Sequence, residues 1–179
     1  LGGALIEAWG TRSGLWKYFT GEAPPLFILP AWPAAALATE RVSEIVGRLS
    51  PPSRGRSASV LRWICFAGFA ALLVRWSAPG LGHPLTWVAF ACVLVTMLTG
   101  TDARGDLVRF AAGALVGYPL ERWGTTRACW TYWSGELPPL VAVLAHGFAT
   151  VAFARGSAVL SGALARLRAV DAEAGPGMQ

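Results

Sequence analysis

The sequence predicts an all-α fold: a polytopic transmembrane bundle of about five or six helices with a parallel internal repeat. Three observations carry this reading. The chain of 179 residues is 54% hydrophobic and 14% charged, with a mean hydropathy of +0.48, whereas soluble domains carry about 25% charged residues. Its apolar residues arrive in blocks separated by Pro, Gly, Arg and Asp clusters, which is the pattern of successive spans. A motif of twenty residues occurs twice.

Taken in order, Leu1 to Ala8 reads as the tail of a helix. The chain opens inside an apolar stretch, with no initiator Met and no signal peptide, so residues or a further helix are expected before it. A Trp- and Gly-rich connector leads to Pro24, and helix two is expected over Pro25–Leu49, apolar at first and amphipathic later. Ser50–Ser59 is a polar, basic loop. Helix three follows over Val60–Trp76, with Arg62 and Arg75 placed to snorkel at its ends. Helix four is expected over Pro84–Thr99 and helix five over Leu107–Leu120, after a turn in which Asp102 and Asp106 flank Arg104 as a solvated cap. A second Trp-rich connector precedes helix six, Pro138–Phe153, with an amphipathic extension to Arg168. The organisation is one membrane domain over 1–179: repeat unit A 1–49, connecting helices 50–105, repeat unit B 106–168 and a flexible tail 169–179. Several blocks fall short of the roughly 20 residues of a span, so a soluble all-helical bundle is the alternative.

The net charge of +5 suggests nucleic acid in a soluble protein, but here the arginines bracket apolar blocks and act as orientation signals. The side holding the 50–59 loop collects Arg41, Arg48, Arg54, Arg56, Arg62, Arg104, Arg109, Arg155, Arg166 and Arg168. The other keeps Arg12, Lys17, Arg75, Arg122 and Arg127. The Arg-rich side is therefore expected in the cytoplasm and the Trp-rich connectors on the extracytoplasmic face of an integral membrane protein, with the bacterial inner membrane as the expected setting. Cys65, Cys92 and Cys129 are scattered, which supports neither zinc nor a disulfide framework. No phosphate-binding loop, HExxH, GxSxG or haem-attachment pattern occurs, and no metal or dedicated cofactor is expected beyond a bound lipid, quinone or carotenoid.

The repeat is the most informative feature. Residues 7–26, EAWGTRSGLWKYFTGEAPPL, align without a gap on 121–140, ERWGTTRACWTYWSGELPPL, at a constant offset of 114. Eleven of the twenty positions are identical, among them Glu7/Glu121, Trp9/Trp123, Thr11/Thr125, Trp16/Trp130, Tyr18/Tyr132 and Glu22/Glu136. Likeness continues through Ala31/Ala145, Ala35/Ala149, Arg41/Arg155 and Ser43/Ser157. An even number of spans separates the copies, so both emerge on one side, related by an axis along the membrane normal.

Each motif element has a plain structural reading. The aromatic residues suit an interfacial belt, Pro24-Pro25 and Pro138-Pro139 suit a first helical turn, and Glu22 and Glu136 suit a helix N-terminus. Glu7 and Glu121 suit pairing with Arg12, Arg122 or Arg127. The functional reading gathers Glu7, Glu22, Glu121 and Glu136 around one shared site. There the four acids are candidate catalytic groups, walled by Trp9, Trp16, Tyr18, Trp123, Trp130 and Tyr132. Thr11 and Thr125, one turn beyond Glu7 and Glu121, are placed to orient those carboxylates. His146 replaces Trp32 in the repeat and is a candidate ligand-binding residue, although a packed, hydrogen-bonded histidine explains it as well. His83 carries little signal, and Lys17 in a connector does not suit a Schiff base.

The first copy, with Glu7, Gly10, Thr11, Gly14, Trp16 and Tyr18 followed by Leu29 to Trp32, resembles a motif of the carotenoid hydratase family of membrane proteins. The likeness covers about 25 residues. It implies acid-catalysed addition of water to an isoprenoid double bond, with Glu7 as the acid. The Gly-Glu-x-Pro-Pro insertion, the second copy and the small size depart from that family. Three classes thus stand: a site binding or processing an isoprenoid- or lipid-like ligand, a structural subunit of a larger membrane complex or homo-oligomer, and a small transporter. Membrane lipids are the expected partners in each. Helices three and four lack the mid-membrane polar residues of a transporter. The discriminator between the first two is whether the glutamates converge on a cavity or splay apart onto arginines.

Overall fold

A computed structural model describes residues 2–50, 55–100 and 102–174, with side chains described to residue 168. Six α-helices and two short strands follow in the order α1 (Gly2–Arg12), β1 (Trp16–Tyr18), α2 (Ala31–Leu49), α3 (Arg56–Trp76), α4 (Pro84–Leu98), α5 (Ala103–Thr126), β2 (Trp130–Tyr132) and α6 (Leu140–Ala174).

The fold is mostly helical, as expected, but it is not all-α. The Trp-rich connectors pair with each other as an antiparallel ribbon, Trp16 opposite Tyr132, Lys17 opposite Thr131 and Tyr18 opposite Trp130. Lys17 and Thr131 are themselves repeat equivalents, so a local twofold axis passes through that central pair. Two flanking bonds obey the same axis: Phe19 N–H donates to Cys129 O at 3.1 Å and Trp133 N–H to Leu15 O at 3.0 Å.

Helix boundaries also move. α1 continues through the start of the motif to Arg12 and α5 through the second copy to Thr126, with Pro119 inside α5. Neither proline pair opens an α-helix: Pro25 precedes a 3-10 turn at Leu26–Ile28, and Pro139 precedes α6. α3 starts at Arg56, inside the expected loop, and residues 51–54 lie outside the described set. Residues to 174 of the expected tail belong to α6, and 175–179 lie outside the described residues.

Among the described residues, two helices are long and apolar enough to cross a membrane: Arg56–Trp76, with 21 residues, and Leu140–Arg168, with 29. At about 1.5 Å per residue the first spans roughly 32 Å, the thickness of a hydrocarbon core. One side of these helices forms a core in which Phe148 packs on Phe66 and Phe69, at centroid distances of 5.1 and 4.8 Å. The outward side of α3 and the neighbouring α4 presents Leu61, Ile64, Trp87, Val88, Leu94 and Val95 uncovered. Glycines bring α5 against α6: a Cβ at Gly113 or Gly117 would collide with His146 and Gly147, the close approach used where helices pack in lipid.

Polar residues tie the end away from the ribbon. Asp106 does not cap α5 in solvent; it is buried and accepts from Arg62 of α3, at 3.3 Å, and from Arg155 of α6. Arg62 does not snorkel outward: it is buried, donating also to Gly100 O at 3.2 Å. Asp102 caps α5 as expected, accepting from Gly105 N–H at 2.9 Å. Arg104 donates to Gly47 O and Ser50 O, the carbonyls ending α2.

Candidate functional site

Glycine makes the site possible. A Cβ at Gly10 would overlap the indole of Trp16, and one at Gly124 the indole of Trp130. Each ribbon tryptophan therefore packs its six-membered ring directly on the helix of its own repeat, one turn beyond the acid. Its Nε1–H reaches that acid: Trp16 donates to Glu7 Oε2 at 3.2 Å and Trp130 to Glu121 Oε2 at 3.0 Å. Two residues further along the strand, on the same face of the ribbon, Tyr18 and Tyr132 donate to the same oxygens at 2.8 and 2.9 Å.

The remaining oxygens face the next helix of each repeat. Glu7 Oε1 accepts from Trp32 Nε1 at 3.1 Å, and Glu121 Oε1 meets His146 Nε2 at 3.0 Å. The two rings stack, with centroids 5.8 Å apart. Each also lies over an equivalent glycine, Trp32 over Gly3 and His146 over Gly117. These are partners at the 114-residue offset lying outside the aligned motif.

Both carboxylates are about 5% exposed and face one cavity of about 300 Å³, walled by Trp9, Trp16, Trp32, Trp76, Trp123 and Trp130 together with apolar side chains. Burial raises the pKa of Glu7 above the ordinary carboxylate value. The hydrogen bonds from Tyr18, Trp32 and Trp16 oppose that rise, and the charge of Glu121 adds to it. Burial, with the facing carboxylates, also raises both phenols, so Tyr18 and Tyr132 hold their protons and donate.

The halves differ in the partner of the second carboxylate oxygen. Indole donates only, so the Trp32 contact to Glu7 runs in a single direction. Imidazole donates or accepts, so the Glu121–His146 contact can exchange a proton.

Glu7, Trp9, Trp16, Tyr18, Glu121, Trp123, Trp130, Tyr132 and His146 all line the cavity. The other candidates do not. Glu22 and Glu136 are exposed beyond the turns at Gly21 and Gly135, whose φ angles are 77° and 71°, and Glu136 accepts from Ser134. Of the four acids, only Glu7 and Glu121 line the cavity. Thr11 and Thr125 donate to the backbone carbonyls of Glu7 and Glu121, at 2.6 and 2.7 Å, so they tie the last helical turn and do not orient the carboxylates. Neither Glu7 nor Glu121 pairs with arginine among the described residues. Trp9 and Trp123 diverge: Trp9 is buried and donates to Thr86 Oγ1 at 3.1 Å, while Trp123 is 60% exposed at the rim. Reading the motif alone misses Trp32 as a hydrogen-bonding partner, although it closes the LPAW segment, and misses Trp76 and Thr86 in the connecting helices. Among the described residues no cluster of His, Cys, Asp and Glu side chains is arranged to hold a metal ion. No protein-family model matches the chain, and no curated protein or solved structure matches it.

Proposed function

We propose that this is a polytopic integral membrane protein, of the bacterial inner membrane, that binds or processes an isoprenoid- or lipid-like ligand in the aromatic cavity. α2, α4 and α5 accompany α3 and α6 through the bilayer, with the ribbon at the extracytoplasmic face and the Arg-rich end in the cytoplasm. The observation that carries the reading is the convergence of two buried carboxylates, each held by an indole and a phenol, on one apolar cavity. A scaffold has no need to bury two acids side by side, since removing both would relieve a cost of several kcal/mol.

The chemistry follows from the partners. Glu121 and His146 form the proton-exchanging half, and Glu7 is the fixed acceptor opposite. An isoprenoid double bond placed between them would take a proton from the Glu121–His146 side, leaving a cation that faces indole rings and the Glu7 carboxylate. Water would then add to the cation and give one proton to Glu7, so that one molecule of water is added across the double bond. The carotenoid hydratase resemblance implies the same activity with Glu7 as the acid, a role placed here on Glu121 and His146. A quinone or carotenoid fits the same walls as a bound ligand.

The test is extraction and mass analysis of lipids that co-purify with the protein, for the wild type and for Glu7→Gln with Glu121→Gln. The wild type is expected to carry a discrete apolar ligand that the double variant leaves unconverted. A double variant that folds, keeps the same lipids and supports the same cellular activity would sink the ligand site and leave a structural subunit.

A further inference from the structure

A second cavity, of about 590 Å³, lies between α2, α5 and α6. It shares Trp32, Ala35 and His146 with the first cavity, so the stacked Trp32–His146 rings form the partition between the two. Its lining follows α2 from Trp32 to Gly47, a run of roughly 22 Å at about 1.5 Å per residue. Chemistry changes along that run. Alanines and Phe153 line the end near the partition, and Ser43, Arg104 and Arg109 line the far end.

Two buried polar atoms at the far end have no hydrogen-bond partner among the described residues, Ser43 Oγ and Arg104 Nε. Arg104 spends one nitrogen on the carbonyls of Gly47 and Ser50 and pairs with no carboxylate among the described residues. Of the nearby acids, Glu44 pairs with Arg41 at 3.3 Å, and Asp102 stands 4.0 Å from Arg109 in a half-exposed contact that a phosphate on Arg109 would replace. Glu40 shares the rim, which favours a single phosphate over a head of higher negative charge.

We propose that the two cavities hold one ligand, a single long apolar chain carrying a phosphate. The phosphate sits at Ser43, Arg104 and Arg109, the chain runs along α2, and its far end passes the Trp32–His146 partition to reach Glu7 and Glu121. Guanidinium groups match phosphate oxygens in a fork geometry, and basic pockets between helices near the cytoplasmic face are where lipid head groups bind. The inference rests on the function proposed above and specifies its substrate class.

Native mass spectrometry of the detergent-solubilised full chain tests it, with a polyprenyl monophosphate and the polyprenol of equal chain length as probes. The wild type is expected to bind the phosphate about tenfold more tightly or better. Arg109→Glu, at a half-exposed position, and Ser43→Ala should erase that preference, whereas Glu7→Gln with Glu121→Gln should keep it. Ala36→Phe, in the second cavity, should shift the retained chains to shorter ones. Equal binding of alcohol and phosphate by the wild type, or a preference that survives Arg109→Glu combined with Ser43→Ala, overturns the proposal. So does equal competition by phosphatidylethanolamine, which assigns the cavity to bulk phospholipid. Failure of the carboxylate site shows separately, as unchanged ligand conversion in the Glu7/Glu121 double variant with the phosphate preference intact.

Discussion

At Glu7, burial and three hydrogen bonds act in opposite directions on one carboxyl group, and burial prevails. The folded-state pKa therefore lies above the unfolded value. The group favours the folded state fully below its unfolded pKa, and that contribution is lost as pH rises through the folded pKa. Thermal unfolding in detergent, followed from pH 8 down to pH 5, should show a Tm that rises on acidification. Glu7→Gln should flatten that arm. A second prediction concerns the one position that breaks the pairing of ring partners. His146→Trp restores the ring of the first repeat, over a glycine that already seats one, and should leave the fold intact while removing the only imidazole in the cavity. Turnover, or proton exchange with a bound probe, should fall about 10²-fold or more, the usual contribution of a general acid–base. The repeat made Glu7 and Glu121 legible from residue types alone, because carboxylates recurring beside indoles in an apolar chain need a reason. It did not disclose Trp32 as a donor. Trp32 and His146 differ, and identity counting discards a mismatch even where both rings do the same job.

Among the elements, the ribbon was the least legible and the most consequential. Three residues, Trp-Lys-Tyr or Trp-Thr-Tyr, are too short for an alternation signal, and the partner strand lies 114 positions away. Only pairing across the molecule makes them strands. Helix ends were misread for a related reason: Glu121 and Arg122 resemble the start of a connector, yet the Glu121 side chain is satisfied by the ribbon and the helix continues to Thr126. The glycines on which the indoles lie give a prediction whose sign discriminates. In an exposed helix Gly→Ala stabilises by about 1 kcal/mol. Gly10→Ala and Gly124→Ala should instead destabilise, each by about 1–3 kcal/mol, because the new Cβ occupies the ring position. Calorimetric or fluorescence Tm values of the two variants check this, and an increase in either contradicts the packing described.

For the molecule as a whole, Asp106 joins three helices, taking Arg62 from α3 and Arg155 from α6 onto α5. One buried guanidinium, Arg62, and one part-buried, Arg155, depend on one carboxylate, so Asp106→Ala should cost about 3–5 kcal/mol. It should also expose the α5–α6 segment to limited proteolysis before the ribbon end opens. The two long apolar helices were readable from blocks of apolar residues, but burial of Arg62 and Asp106 was not, since either suits a solvated helix end equally well. The twofold axis through Lys17 and Thr131 carries a consequence about origin. Each repeat alone contributes one strand with an unpaired edge and one wall of a cavity, so neither could have been sufficient by itself. A strand that pairs with its own counterpart across a twofold axis is what a homodimer of a single-repeat ancestor would contain. Fusing its two copies through the α3–α4 segment would free each half from being identical to the other, and the exchange of Trp for His at residue 146 is the kind of divergence that only a fused chain permits.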